Sequence, residues 1–175
     1  MEPGAGMKIP ERISWAVELL KPDRGMRVLE IGCGRGFAAR VLTPCLGANA
    51  YVGVDRSKVA IQAARKLNVE AQERGIARFV LGELGAADVG SRLFDRVLAI
   101  NVNAFWTDAG DAASACLPLL KPRGRMLLVY ELPSPARLDE VEAKLETNLR
   151  AAGFLRLDCA RKREKAWIAM WARRG

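Results

Sequence analysis

Val28-Leu29-Glu30-Ile31-Gly32-Cys33-Gly34-Arg35-Gly36 is the stretch on which the reading of this chain turns. A short apolar strand, Arg27 to Ile31, runs straight into a glycine-rich turn, and a helix starts at Phe37. Glycines at such a turn let the backbone take positive φ and approach a ligand closely. The next strand, Tyr51 to Asp55 (YVGVD), ends in an acid. Its distance from the glycines is that at which nucleotide-binding α/β folds place a carboxylate on a ribose diol.

The glycine spacing narrows the ligand. A dinucleotide fingerprint, G-x-G-x-x-G, needs glycine at position 37, where this chain has Phe37. No Gly-Lys-Ser/Thr follows, so the loop is not a Walker A loop either. Both facts weigh against NAD and nucleoside triphosphates at this turn.

Outward from the loop, strands and helices alternate. Pro10 suits a helix first turn, and Ile13, Ala16, Val17 and Leu20 recur at helical spacing until Pro22. After the glycine loop the pattern predicts a helix over Phe37 to Leu46 and a long one from Ser57, its N-cap, to Arg74. Ala77 to Leu81 and Phe94 to Ile100 read as strands, Asp108 to Leu120 as a helix, Arg125 to Tyr130 as a strand and Leu138 to Ala152 as a helix. Such alternation implies right-handed crossovers and a mostly parallel sheet covered on both faces. The end differs: Leu155 to Ala160 and Ala166 to Arg173 are strands separated by the charged turn RKREK, which predicts an antiparallel hairpin. Trp167 and Trp171 share one pleat face and read as core.

Composition sets outer bounds. The chain has 175 residues, half of them apolar, enough for one domain with its own core. Residues 1–8 read as a flexible lead and 9–175 as a single domain. No window is long and apolar enough to span a membrane, and the start, MEPGAGMKIPER, lacks an apolar signal core, so the expected location is the cytoplasm. Four dispersed cysteines and no histidine remove the commonest metal ligands, so no metal is expected. The lack of histidine also removes the usual general base near neutral pH. The net charge of +8 permits association with nucleic acid or acidic ligands and says nothing about fold.

Several motifs in order resemble the class I S-adenosylmethionine (SAM)-dependent methyltransferases. VLEIGCGRG resembles their first motif, an acid followed by G-x-G-x-G, and YVGVDRS their second. Leu81-Gly82-Glu83-Leu84 stands where the family contacts adenine, FDRVLAINVNAFW resembles the fourth-strand motif, and LLKPRGRMLLVYE the turn and fifth strand. The resemblance spans residues 10–173. It implies a Rossmann-like, doubly wound, seven-stranded sheet of order 3-2-1-4-5-7-6 with strand 7 antiparallel, and ligand at the carboxyl ends of the strands. It also implies that Glu30 and the backbone of Gly32, Cys33 and Gly34 surround the methionyl end of SAM, with Gly36 completing the loop. Asp55, beside Arg56, takes the ribose hydroxyls, Glu83 and Leu84 edge the adenine, and Asn101 faces the methionyl group. Glu83 replaces the family's usual Asp. Local alternatives stand beside these roles: Glu30 and Asp55 as helix caps, and Gly36 as a point of tight helix packing.

Methyl transfer from a sulfonium is an in-line displacement from an already activated donor, so a protein without histidine can perform it by alignment and exclusion of water. Asn103, Phe105 and Trp106 are candidate acceptor contacts after strand four, with Phe105 and Trp106 equally readable as packing under the next helix. Tyr130 and Glu131 form the other wall, Glu131 being the leading carboxylate for a base, and Trp15 of the first helix is placed to close the pocket. With only short loops, recognition of the acceptor falls to these residues or to a second subunit, as in a homodimer. A small-molecule acceptor is favoured. Two other classes remain in view: a nucleic-acid methyltransferase, suggested by the basic turn Arg161-Lys162-Arg163-Lys165 but lacking the D/N-P-P-Y/F turn of base-amino methylators, and a SAM-binding module without catalysis.

Overall fold

The computed structural model describes residues 8–108 and 110–174. Apart from Lys8, the flexible lead expected over residues 1–8 lies outside the described residues.

Fourteen regular elements follow one another in the described chain, apart from short 3₁₀ turns: α1 (Glu11–Leu20), β1 (Val28–Ile31), α2 (Phe37–Leu42), β2 (Tyr51–Asp55), α3 (Lys58–Leu67), α4 (Val69–Glu73), β3 (Ala77–Leu81), β4 (Phe94–Ile100), α5 (Ala104–Thr107), α6 (Asp111–Cys116), β5 (Leu120–Glu131), α7 (Leu138–Ala151), β6 (Arg156–Lys162) and β7 (Trp167–Arg173). They build one seven-stranded sheet of order β3-β2-β1-β4-β5-β7-β6. The pairs among β1 to β5 are parallel, and β7 runs antiparallel to both β5 and β6. This is the Rossmann-like arrangement that the motifs imply.

Two apolar layers cover the sheet. α1 to α4 bury Ile13, Ala16, Leu42, Ile61 and Ala71 against Val28, Tyr51, Leu98 and Leu127 on one face. On the other, Phe105 of α5, Cys116 of α6 and Leu138, Val141, Leu145 and Leu149 of α7 pack on Leu29, Val52, Val97 and Leu128. Strands covered on both sides must be apolar at every position, and β1 is buried throughout, Glu30 included.

Two helices expected to be continuous are broken. The run Ser57 to Arg74 divides at Asn68, which is buried and takes φ −118°, ψ 35°. Its side-chain amide donates to the carbonyls of Ala64 and Gly36, so a helix position is given up to tie α3 to the glycine loop. Ser57 is the N-cap, its hydroxyl accepting from the Ala60 N–H. The segment expected as one helix over Asp108 to Leu120 contains α6, and Gly110 at φ 91° forms its left-handed N-cap. A Cβ at Gly110 would stand 3.1 Å from the Asn148 carbonyl, so the close pass of α7 fixes that break.

Candidate functional site

The site begins where β1 stops. The Cys33 N–H still donates to the Val54 carbonyl at 3.0 Å, extending the β1–β2 ladder into the loop, and the Gly36 N–H closes a turn on the Cys33 carbonyl at 2.9 Å. Between them the Gly34 N–H donates to Asp55 Oδ2 at 2.9 Å, while Asp55 Oδ1 accepts from the Ser57 N–H at 2.8 Å. The acid at the end of β2 therefore organises both the glycine loop and the start of α3. An ionised carboxylate has about four acceptor positions, so each oxygen keeps capacity for a further donor.

Gly32 has φ 66°, and a Cβ there would lie 2.6 Å from Val102 Cγ2. The loops after β1 and β4 approach closely only because position 32 lacks a side chain.

The carboxyl ends of β1, β2 and β4 open on a cleft of about 790 Å³. Gly32, Asp55, Arg56, Glu83, Leu84 and Asn101, expected around the cofactor, and Asn103, expected on the acceptor side, all line it. The sequence reading missed Asp108 and Asp111, which add two carboxylates to Asp55 and Glu83 against the single cation Arg56. The glycine before Asp111 marks a helix start, which was the available signal for that residue. Asn101 sits at φ 57° with its side-chain carbonyl accepting from the Glu131 N–H at 2.9 Å, so the β4 end is braced by β5.

Other expected site residues are placed elsewhere. Glu30 points to the α1–α4 face, 3% exposed, where its carboxyl oxygen accepts from the Tyr51 hydroxyl. Burial, opposed by that hydrogen bond and reinforced by the Asp55 charge, pushes its pKa up to about 8. It is a neutral buried partner of Tyr51 rather than a wall of the cleft. Cys33 is buried with its N–H committed to Val54, and Gly36 abuts α3, where a Cβ would meet Asn68 Nδ2 at 2.6 Å. The packing alternative for Gly36 is the one realised.

On the acceptor side, Phe105 borders the cleft but is 1% exposed and belongs to the core. Trp106 turns away from the cleft, its ring faced by Arg137 at 5.3 Å and Lys144 at 5.5 Å. Trp15 is buried and stacks on Trp167 with centroids 5.6 Å apart. The Tyr130 hydroxyl donates to the Val102 carbonyl at 2.7 Å, and burial raises its pKa far above the phenol range. Glu131 is paired with Arg12 of α1 at 2.9 Å. Neither Tyr130 nor Glu131 lines the cleft. The basic hairpin turn is largely neutralised: Arg161 pairs with Asp139 and Glu142, Arg163 with Asp139, and Lys165 with Glu11.

Comparison with known proteins points the same way as the geometry. A family model described as a methyltransferase domain matches residues 29–128. A ubiquinone biosynthesis O-methyltransferase of Alkalilimnicola ehrlichii is 32% identical over 119 residues, which are 67% of this chain and 47% of that protein. The chain thus spans about half the length of that relative. An uncharacterized methyltransferase of Bacillus subtilis is 23% identical over 90% of this chain and 87% of its own length. Among solved structures, magnesium protoporphyrin IX methyltransferase from Synechocystis, crystallised with bound S-adenosylhomocysteine (SAH), superposes with a TM-score of 0.66 at 19% identity, over 94% of this chain and 81% of that one.

Proposed function

The chain belongs to the class I SAM-dependent methyltransferases, and from that premise we propose that it transfers a methyl group from SAM to a small-molecule acceptor in the cleft at the carboxyl ends of β1, β2 and β4. The observation that carries the proposal is Asp55, which ties the glycine loop through Gly34 and still presents acceptor capacity on the cleft wall. The residues present fit the cofactor. An ammonium and a sulfonium suit a wall bearing four carboxylates and one arginine, and Leu84, Ile100 and Val102 supply apolar surface for a base. When bound, SAM supplies a methyl group on a positively charged sulfur.

In this reading Asp55 accepts from the ribose hydroxyls, Glu83 and Leu84 edge the adenine, and the Gly32 backbone and Asn101 border the methionyl end. Val102, drawn over Gly32, helps exclude water. No base comes from Glu131 or Tyr130, since one is paired and the other is a buried hydroxyl. The protein's contribution is alignment, with the acceptor supplying its own nucleophile. The cleft volume lies within the range of small-ligand sites, and the ubiquinone-pathway relative supports an acceptor of that class. The ion-paired hairpin turn weighs against nucleic acid there.

Calorimetric titration with SAH, with NAD as control, tests the cofactor. Wild-type protein is expected to bind SAH and not NAD, and Asp55→Ala to weaken SAH at least about tenfold, the value of one charge-assisted hydrogen bond. A folded protein that ignores SAH, or an Asp55→Ala variant with unchanged affinity, overturns the site. Turnover of SAM to SAH with a panel of small acceptors separates catalysis from binding alone.

A further inference from the structure

At the opposite end of the sheet the strand register produces a row of like charges. Arg96 of β4 pairs with Arg125 of β5, Arg125 with Arg173 of β7, and Arg173 with Arg156 of β6. Directly paired residues project to the same face, so four arginines lie side by side across four adjacent strands. Beside the row is a second concavity of about 400 Å³, lined by Arg123, Arg125, Arg156, Arg173 and Arg174 together with Pro122 and Gly124 of β5.

Like charges placed directly opposite destabilise a sheet unless something neutralises them. Among the described residues, no carboxylate lies within ion-pair distance of any of these five arginines. The Nε atoms of Arg96, Arg173 and Arg174 are buried without hydrogen-bond partners. Arg96 is fixed over the Trp171 ring at 6.0 Å, and Arg174 donates to the Leu117 carbonyl, so part of the cluster is already held in place. Burial, and then the charge of Arg125, lower the pKa of Arg96.

We propose that this arginine row is a binding site for a compact oligophosphate anion. Guanidinium forks match phosphate oxygens two at a time, and several in a row suit an anion with several adjacent charges. No aromatic ring lines the concavity, whereas single-stranded nucleic-acid sites join basic grooves to stacking platforms. A small polyanion therefore fits better than a nucleic-acid strand. The site lies at the amino-terminal end of β4, away from the cleft at its carboxyl end, and stands independently of the methyltransferase reading.

The test is calorimetric titration of the full chain with inorganic tripolyphosphate at low and moderate salt. The expected result is salt-sensitive binding that falls at least about tenfold in Arg125→Gln/Arg173→Gln, from loss of two charge-assisted contacts. The same variant is expected to fold, because it relieves repulsion, and thermal unfolding without ligand checks this. Arg40→Gln/Lys66→Gln removes the same charge from exposed positions outside both concavities and is expected to keep affinity within about twofold, since long-range charge is screened by salt. Absent binding, or equal losses in the two variants, overturns the proposal. Tighter binding of a single-stranded oligonucleotide than of tripolyphosphate through the same arginines overturns the assignment to a compact ligand.

Discussion

Replacing Glu30 by Gln should make the protein more stable at pH 7 to 8 and leave it nearly unchanged near pH 5. Glu30 is sealed between β1 and the α1–α4 layer with the Tyr51 hydroxyl donating to it, and its pKa is raised from 4.5 to about 8, chiefly by burial. Between those values the folded chain keeps a proton that the unfolded chain releases. Its contribution is therefore full below about pH 4.5 and is lost progressively as pH rises to about 8. The slope is about 1.4 kcal/mol per pH unit across the middle of that window, or between 2 and 3 kcal/mol, roughly, from pH 5 to 7. Glutamine copies the protonated carboxyl in size and still accepts from Tyr51, but it carries no titrating proton. Urea unfolding of both proteins at pH 5, 6, 7 and 8 isolates this group, because other titrations cancel in the difference. The two stability curves should converge at pH 5 and separate as pH rises. Parallel curves would refute the claim that a neutral Glu30 is built into the fold.

The glycine loop supplies a second comparison. Gly32→Ala combines positive φ with a Cβ 2.6 Å from Val102 and should cost about 2–3 kcal/mol, whereas Gly34→Ala has positive φ but nothing within 4 Å and should cost only about 1 kcal/mol, both read by denaturant unfolding. Equal costs would show that the loops do not close on each other as described. Trp106→Ala should lower stability by about 2–4 kcal/mol through lost packing while SAH affinity, measured by calorimetry, stays the same. Lost SAH affinity without lost stability would return Trp106 to the site.

The sheet order and much of the cleft lining were legible because their signals are local or carried by contiguous motifs. Gly32, Asp55, Glu83 and Asn101 each sit at a strand end, and alternation of strand and helix puts those ends together. On the acceptor side Asn103 reaches the cleft, while Trp15, Trp106, Tyr130 and Glu131 do not, because their side chains are decided by partners remote in sequence. Glu131 is claimed by Arg12, 119 positions away, and Trp15 by a ring on β7. Phe105 turns inward because α5 is one short helical turn over the core, which the broken helix pattern conceals. Asn68 carried a weak signal, a polar residue inside an apolar helical face, but its meaning depends on the Gly36 carbonyl 32 positions earlier.

The distribution of charge gives the net value of +8 a physical meaning that composition alone lacks. The basic hairpin turn spends its charge on Asp139, Glu142 and Glu11, and the cleft at the carboxyl ends of the strands is lined by four carboxylates. At the other end of the sheet five arginines line a concavity with no carboxylate among its lining residues. At moderate ionic strength the Debye length is about 10 Å, so a ligand entering either concavity responds to its immediate lining more than to the net charge. In the proposed reading a cationic sulfonium is therefore drawn to one end of a basic protein and a phosphate anion to the other, and mutation of either lining should leave the opposite site's affinity, measured by calorimetry, intact.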